Sequence, residues 1–188
     1  MSKHILSKVI GQLNQDKTFQ DWWTSEKVSI PFLEGFELPV TFMDLEPEAD
    51  LQFIPEADDA LSNFLSLNVQ DRNAISQLVY ENCMGFLNEI GYDPADEALW
   101  HIKDVNDIWK HVHSTDIYLN RRHRRDQDIY LSITAECDWE QEHGLQLVFR
   151  KGKMLTRISD QDGHLTEADA YDKPDEEDTL LYAYLSRN

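Results

Sequence analysis

The hydrophobic period of the chain changes near Ile117, from the spacing of about 3.6 residues that is typical of amphipathic helices to the spacing of two that is typical of strands. Alternating apolar and polar positions then follow in successive runs, and Lys151-Gly152 and Asp162-Gly163 are sequences that favour tight turns. We therefore predict that residues 117–172 form consecutive antiparallel strands.

Before this change of period, residues 56–113 have the pattern of a helical region. A first helix is predicted from about Glu56 to Leu65. Asn68 and Asp71 have the spacing of a capping box at the start of a second helix, whose apolar stripe continues to Gly91.

Two further elements are predicted at the N-terminal end. One helical stripe is formed by Ile5, Val9, Ile10 and Leu13. We therefore expect a short amphipathic helix within residues 1–25. Residues 26–45 contain two alternating runs on either side of Glu34-Gly35, which predicts a hairpin with a two-residue turn.

These elements together predict an α+β fold with a single domain, residues 1–188. The helices are expected to pack on one face of an antiparallel sheet, which is made of the N-terminal hairpin and the C-terminal meander. At the acidic C-terminal end, one helical turn is expected to dock through Leu180, Leu181, Tyr184 and Leu185.

The charge of the chain narrows the class of partner. There are 36 acidic and 17 basic side chains, and the net charge is −19. Such a surface repels nucleic acids and anionic membranes and attracts basic proteins or cations, so we expect neither a nucleic-acid nor a membrane partner. The predicted contact surface for a basic protein partner consists of Asp44, Glu46, Glu48, Asp50, Asp58 and Asp59, and the alternative is the acidic tail from Asp169.

The cysteine content and the absence of a leader or a long apolar run predict a cytoplasmic protein. The two cysteines are Cys83, within an apolar helical stripe, and Cys137, on the core side of a predicted strand. We expect both thiols to be buried and unreactive. No nucleophile motif and no phosphate-binding glycine loop is present, so the sequence favours a non-enzymatic role and no cofactor.

One alternative involves a divalent metal. On a strand with Cys137 and Trp139 facing the core, neighbouring carboxylates and a histidine at the following turn could converge. Carboxylates and imidazoles bind divalent cations and perform acid-base chemistry. The candidate ligands are Glu140, Glu142, His143, Asp162 and His164. The competing interpretation is that these residues form polar turns that fix the strand register.

The basic cluster Arg121–Arg125 is the one concentration of positive charge in an acidic chain. It could form ion pairs within the protein, recognise an anion or nucleotide, or contact a partner. The sequence favours internal ion pairs, because Asp126 and Asp128 follow at once and carboxylates are abundant throughout the chain.

The run from Ile117 to Asp172, together with LPVTF at Leu38–Phe42, resembles a bacterial family that is described only as a domain of unknown function. The hallmark of that family is a tract similar to DWExEHGLQLVF, followed by a glycine hairpin and a DGH turn. These motifs correspond here to Asp138–Phe149 and Asp162–His164. The resemblance covers most of the chain from about Val28, and it implies a bacterial cytoplasmic protein without assigning an activity, cofactor or catalytic residue.

Three functional hypotheses follow. The first is a non-enzymatic protein-binding module, similar in size and charge to immunity proteins that neutralise a basic toxin. The second is a metal-dependent enzyme or metal-binding protein that uses the two polar turns. The third is a scaffold in which those turns only fix strand register.

Overall fold

The computed structural model describes residues 4–183, which form ten strands and six α-helices. The strands are β1 (His4–Ser7), β2 (Gly11–Gln15), β3 (Trp23–Ser25), β4 (Val28–Ile30), β5 (Phe36–Leu38), β6 (Val40–Phe42), β7 (Val112–Arg121), β8 (Ile129–Cys137), β9 (Leu145–Arg150) and β10 (Met154–Ser159). Eight of them form one open sheet in the order β1-β2-β3-β6-β7-β8-β9-β10, and β4 and β5 form a separate two-stranded sheet.

The α-helices are α1 (Phe53–Leu65), α2 (Val69–Ala74), α3 (Ser76–Ile90), α4 (Glu97–Trp100), α5 (Glu167–Ala170) and α6 (Thr179–Ala183). The 3-10 helices are Pro31–Leu33, Pro94–Asp96, Val105–His111 and Asp175–Glu177. The predicted capping box is confirmed, because the side chains of Asn68 and Asp71 accept hydrogen bonds from the backbone at the start of α2. The predicted second helix is interrupted at Ile75, which separates α2 from α3.

The prediction of an α+β fold with a C-terminal meander is confirmed. β7, β8, β9 and β10 are consecutive antiparallel neighbours, with Ile117 opposite Ile133 and Ile133 opposite Leu147. The meander begins at Val112, five residues earlier than predicted, and its last strand ends at Ser159. Trp139 is buried as expected, and its Nε1 donates to Asn82 Oδ1 at 3.2 Å.

The main core lies on one face of the large sheet, where α1 and α3 pack. Inward-facing residues of β8 and β9, such as Leu131 and Phe149, are completely or almost completely buried there. Phe149 meets Phe32 and Phe64 with ring centroids 5.6 and 5.5 Å away. Such aromatic contacts add to the stabilisation that comes from area burial alone.

The arrangement of all helices on one face is not confirmed, because the C-terminal segment covers part of the second face. There Tyr130 and Val148, which alternate with the core residues of β8 and β9, form a small apolar cluster with Leu165. Asp178 is fully buried and accepts from the backbone N–H groups of Ala168 and Leu181, so it joins α5 to α6. Leu181 is buried as predicted, whereas Tyr184 and Leu185 lie outside the described residues.

The predicted helix within residues 1–25 is wrong, because β1, β2 and β3 occupy this part of the chain. β1 and β2 form a hairpin with Ser7 opposite Gly11, which has a φ of +80°. Asp58 of α1 accepts from the Ser7 hydroxyl and, at 2.9 Å, from the Lys8 backbone N–H. A short isolated helix is only marginally stable, so these tertiary hydrogen bonds and the pairing with β3 decide the outcome.

The hairpin predicted for residues 26–45 exists in a modified form. β4 and β5 pair antiparallel with Val28 opposite Leu38, but the 3-10 turn Pro31–Leu33 lengthens the connection beyond two residues. Pro39 ends β5, and the chain enters the large sheet as β6. β6 lies between β3 and β7 and is parallel to β7, a pairing that the alternating pattern did not indicate.

Candidate functional site

The guanidinium of Arg122 is buried at the centre of an ion-pair network, with 3% of its side chain exposed. Its Nε and Nη2 lie 2.9 and 2.8 Å from the two carboxylate oxygens of Asp169. Its Nη2 and Nη1 lie 2.7 and 3.1 Å from the oxygens of Asp175. Two bidentate contacts of this kind match the planar fork of arginine, so Arg122 fixes the segment that contains α5 against the sheet.

Asp126 and Tyr130 complete the network. Asp126 accepts from Arg122 Nη1 at 3.1 Å and from the Tyr130 hydroxyl at 2.7 Å. Burial raises the pKa of Tyr130 well above its ordinary value, and the hydrogen bond to Asp126 raises it further. Burial opposes ionisation of Asp126, but the hydrogen bonds from Tyr130 and from the Asp128 backbone outweigh it, so the pKa of Asp126 is lowered.

The preference for internal ion pairs in the Arg121–Arg125 cluster is confirmed for three of its residues. Arg121 contacts Asp50 and Glu56, each at 2.7 Å. Arg125 contacts Asp175 at 2.9 Å, in addition to the Arg122 network. His123 and Arg124 are exposed and form no ion pair within the described part of the chain.

Two of the six carboxylates predicted to bind a partner already form contacts within the protein. Asp58 is buried and holds the β1–β2 turn. Asp50 pairs with Arg121 and accepts from the backbone N–H of Phe53 at 3.1 Å, at the start of α1. These side chains are therefore engaged within the protein, because their lone pairs already have donors.

The other four predicted partner-binding residues are exposed, and their carboxylates make no hydrogen bond or ion pair with any residue between 4 and 183. These residues are Asp44, Glu46, Glu48 and Asp59. The first three lie on the loop between β6 and α1, which is bordered by two open grooves of about 1000 and 770 Å³. Glu46 and Asp21 line both grooves.

We call the surface formed by Asp21, Asp44, Glu46 and Glu48 the acidic loop surface. Asp21 was not predicted, because it lies in a different part of the sequence from the others. It joins them because the backbone N–H of Leu45 donates to the Asp21 carbonyl at 2.8 Å. The surface thus combines free carboxylates with concave shape, which a protruding basic side chain could enter.

The five candidate metal ligands lie at the same end of the sheet, where His143 Nδ1 is 3.3 Å from a carboxylate oxygen of Glu140, but within residues 4–183 no three of them gather into one cluster. The two turns are adjacent, since Gln161 donates its backbone N–H to the His143 carbonyl at 3.3 Å. Glu140 accepts from the backbone N–H groups of Glu142 and His143, both at 2.9 Å, and so closes its own turn. No group of three or more His, Cys, Asp or Glu side chains that could hold a metal ion is found within residues 4–183.

The second turn uses its carboxylate in the same way. Asp162 accepts from Gln146 Nε2 at 2.8 Å, from the His164 backbone at 2.9 Å, and from the guanidinium of Arg157. Both turns therefore have the hydrogen-bond pattern expected of elements that fix strand register. Gly144, with a φ of +64°, supports this interpretation because an added Cβ would lie 2.5 Å from the Ala135 carbonyl oxygen.

A histidine pair not predicted as a site flanks Asp138. His111 Nδ1 lies 2.8 Å and His113 Nε2 3.2 Å from the two oxygens of this carboxylate. The spacing of two residues in HVH, at the start of β7, was the only sequence signal for this arrangement. The cluster is partly exposed and joins the start of β7 to the residue that follows β8.

Both cysteines are buried and free, as the sequence predicted. Burial raises the pKa of the Cys83 thiol to about 12 and that of the Cys137 thiol to about 11. Because the thiolate is the nucleophile, both groups are protonated and weakly reactive near neutral pH.

Comparison with known proteins identifies a family but no characterised relative. No curated protein and no solved structure matches the chain. None of the helices between residues 4 and 183 has the length and apolar character needed to cross a membrane. A family model described as Domain of unknown function (DUF6985) matches residues 9–165, which is most of the chain. The protein therefore belongs to the Domain of unknown function (DUF6985) family.

Proposed function

We propose that this protein is a non-enzymatic binding module that recognises a basic protein partner through the acidic loop surface. An immunity-type antagonist that neutralises a basic effector in a bacterial cytoplasm is the form of this function that we favour. The observation that supports it best is the set of exposed carboxylates beside two grooves that no basic residue within 4–183 neutralises.

The charge distribution supports the same proposal. The net charge is −19, and Arg121, which lines the 770 Å³ groove together with His123, is already paired with Asp50 and Glu56. The remaining carboxylates are therefore free to interact with incoming cations. Complementary potentials accelerate encounter, and a few side chains buried in concave sites then retain the complex.

The form of the loop also suits recognition. The backbone N–H of Leu45 is bound to the Asp21 carbonyl, and the Leu45 side chain is almost completely buried. Trp23 donates from its indole to the Leu45 carbonyl at 3.2 Å. The acidic side chains are thus displayed from an anchored backbone, which reduces the conformational entropy lost on binding.

The experiment uses the basic protein encoded by a gene adjacent to this one, with affinity measured by calorimetry at about 50 mM salt. The double variant Glu46→Lys with Glu48→Lys should weaken binding by at least about tenfold, because it reverses two charges at the centre of the surface. The matched control is Glu26→Lys with Glu37→Lys, which changes the net charge equally at exposed positions outside the surface.

The proposal predicts little change in affinity for the control pair. Equal weakening in both double variants would show that only net charge matters. Absence of binding by the wild-type protein at low salt would contradict the proposal itself.

A further inference from the structure

β10 is the last strand of the large sheet and borders a groove of about 860 Å³. It pairs with β9 on one side and with no other strand in the described chain. Residues 157–160 line the groove, whereas its described lining includes none of residues 179–181 of α6, a helix that also packs against β10. An uncovered strand edge presents unpaired backbone donors and acceptors to any extended chain that fits beside it.

The walls of the groove are suited to an extended segment. Phe86 and Ile90 of α3 line it, and so does Tyr171, which follows α5. Ile90 and Tyr171 are 57% and 71% exposed, which is unusual for such large apolar side chains. They offer contact area to side chains that alternate to either side of an added strand.

Arg157 provides a second, independent indication of a ligand. It lines the groove, its side chain is 6% exposed, and its Nε has no hydrogen-bond partner among residues 4–183. Within the same range, its guanidinium contacts a single carboxylate, that of Asp162. A buried donor without a partner is unfavourable, so an acceptor arriving in the groove would satisfy Arg157.

The groove is also acidic. Glu89, Glu142 and Asp160 line it, are exposed, and form no ion pair with the described part of the chain. Their charges complement lysine or arginine side chains of an incoming segment.

We propose that an extended basic segment of a partner protein binds in this groove and adds a strand to the free edge of β10. A backbone carbonyl of the segment accepts from Arg157 Nε, basic side chains meet Glu89 and Glu142, and apolar side chains contact Ile90 and Tyr171. This site is separate from the acidic loop surface, which lies beside β1, β3 and the loop after β6. Its test is therefore independent of the one given above.

The test uses fluorescein-labelled peptides of about nine residues, which is enough to span an edge strand. An alternating Lys-Val peptide should bind, with affinity measured by fluorescence anisotropy at about 50 mM salt. A Lys-Val peptide of equal charge that is methylated at every backbone amide nitrogen lacks backbone donors and should bind at least about tenfold more weakly. Hydrogen exchange at amides of residues 157–160 should slow when the Lys-Val peptide is bound.

Protein variants locate the site. Glu89→Lys with Glu142→Lys should lower the affinity for the Lys-Val peptide by about tenfold or more. The fold should persist, because both residues are exposed and form no ion pair within residues 4–183. Glu26→Lys with Glu37→Lys, which carries the same change of charge elsewhere, should leave the affinity within about twofold. Arg157→Met should also lower the affinity for the Lys-Val peptide. This variant is informative when its circular dichroism spectrum matches that of the wild-type protein.

Three outcomes would overturn the proposal. These are no binding of the Lys-Val peptide, equal binding of the N-methylated peptide, or equal losses in the two double-charge variants. The second result would indicate electrostatic attraction without strand addition. The third would indicate electrostatic attraction that is not located at this groove.

Discussion

At the scale of single residues, Arg122 shows how an excess of carboxylates is used in this protein. A buried guanidinium is costly unless its donors are satisfied. Here the donors are satisfied by bidentate contacts with two aspartates, Asp169 and Asp175, and by hydrogen bonds to Asp126 and to Thr166. Asp169 and Asp175 lie beyond the family match, which ends at residue 165. Arg122 therefore connects the matched domain to the segment that follows it.

We expect Arg122→Met to lower the free energy of unfolding by about 3–5 kcal/mol, because it leaves three neighbouring carboxylates without their cation. The matched control is Arg124→Met, at an exposed position in the same cluster. This control should change the free energy of unfolding by less than about 0.5 kcal/mol. Urea denaturation at pH 7 measures both. A loss below about 1 kcal/mol for Arg122→Met would mean that the network contributes little.

The raised pKa of Tyr130 predicts a pH dependence. A raised folded-state pKa contributes stability that is complete below the unfolded value of about 10 and is lost as the pH rises towards the folded-state value. Asp126 has a lowered pKa, so its contribution is present above about pH 4 and is lost as the pH falls further. Tyr130→Phe removes the hydrogen bond that both groups share.

Tyr130→Phe should therefore be less stable than the wild type by about 1.5–3 kcal/mol at pH 7. The difference should narrow above about pH 10 and below about pH 4, when measured by urea denaturation across the pH range. The pH values 3 and 11 each lie about one unit beyond those limits. A stability difference between Tyr130→Phe and the wild type that stays constant between them would contradict the assigned role of the hydrogen bond.

The turns that contain Glu140 and Asp162 predict a weak response to divalent metals, because these carboxylates already accept hydrogen bonds. Addition of about 1 mM Zn²⁺ or Mn²⁺ should leave the melting temperature within about 1 °C, and Glu142→Ala with His143→Ala should respond in the same way. A rise of several degrees that the double variant abolishes would instead support the metal-binding hypothesis.

At the scale of elements, the β9–β10 turn contacts α1 closely at Gly152. A Cβ added at Gly152, where φ is +69°, would lie 1.9 Å from the Ala60 carbonyl oxygen of α1. Asn63 of the same helix donates to the Lys151 carbonyl at 3.0 Å. This turn therefore fixes how the first helix sits on the sheet.

Gly152→Ala should lower the free energy of unfolding by at least about 2 kcal/mol, since it introduces both a clash and an unfavourable φ. Gly85→Ala is the matched control, because Gly85 lies in α3 and an added Cβ there would have no atom of residues 4–183 within 4 Å, apart from the neighbours in its own helix. It should raise stability by up to about 1 kcal/mol. Thermal and urea denaturation of the two variants should therefore give shifts of opposite sign, and similar shifts would contradict this packing.

Elements with strong local signals were predicted correctly. The alternation in β8 and β9 and the capping box at Asn68 depend on neighbouring residues, so the sequence is sufficient to identify them. The strands β1 and β2 depend on Asp58, which is 50 or so residues away, and local spacing favoured a helix instead. The parallel pairing of β6 with β7 follows a long crossover and has no local signal.

The candidate site shows the same division. Exposed carboxylates were predicted from their density in the sequence, but the burial of Asp58 and the pairing of Asp50 depend on β1 and β7. Arg157 was missed because its uncompensated Nε is a property of the folded groove. The composition thus gives the number of charged side chains, but it does not show which of them are exposed and unpaired in the folded protein.

At the scale of the whole molecule, an eight-stranded sheet separates two acidic surfaces, one beside β1 and β3 and the other along β10. The net charge of −19 acts on any partner at long range, while the grooves determine where contact is made. Self-repulsion among carboxylates also opposes association between copies of the chain at low salt. This combination supports the proposed capture of a basic protein.

The most direct measurement is the association rate constant with the basic protein encoded beside this chain, determined by stopped-flow fluorescence as the ionic strength is varied. We expect a rate constant of about 10⁷ M⁻¹s⁻¹ or more at low salt, falling at least about tenfold between about 20 and 300 mM salt. A rate constant that does not change with ionic strength would contradict recognition through the acidic surfaces.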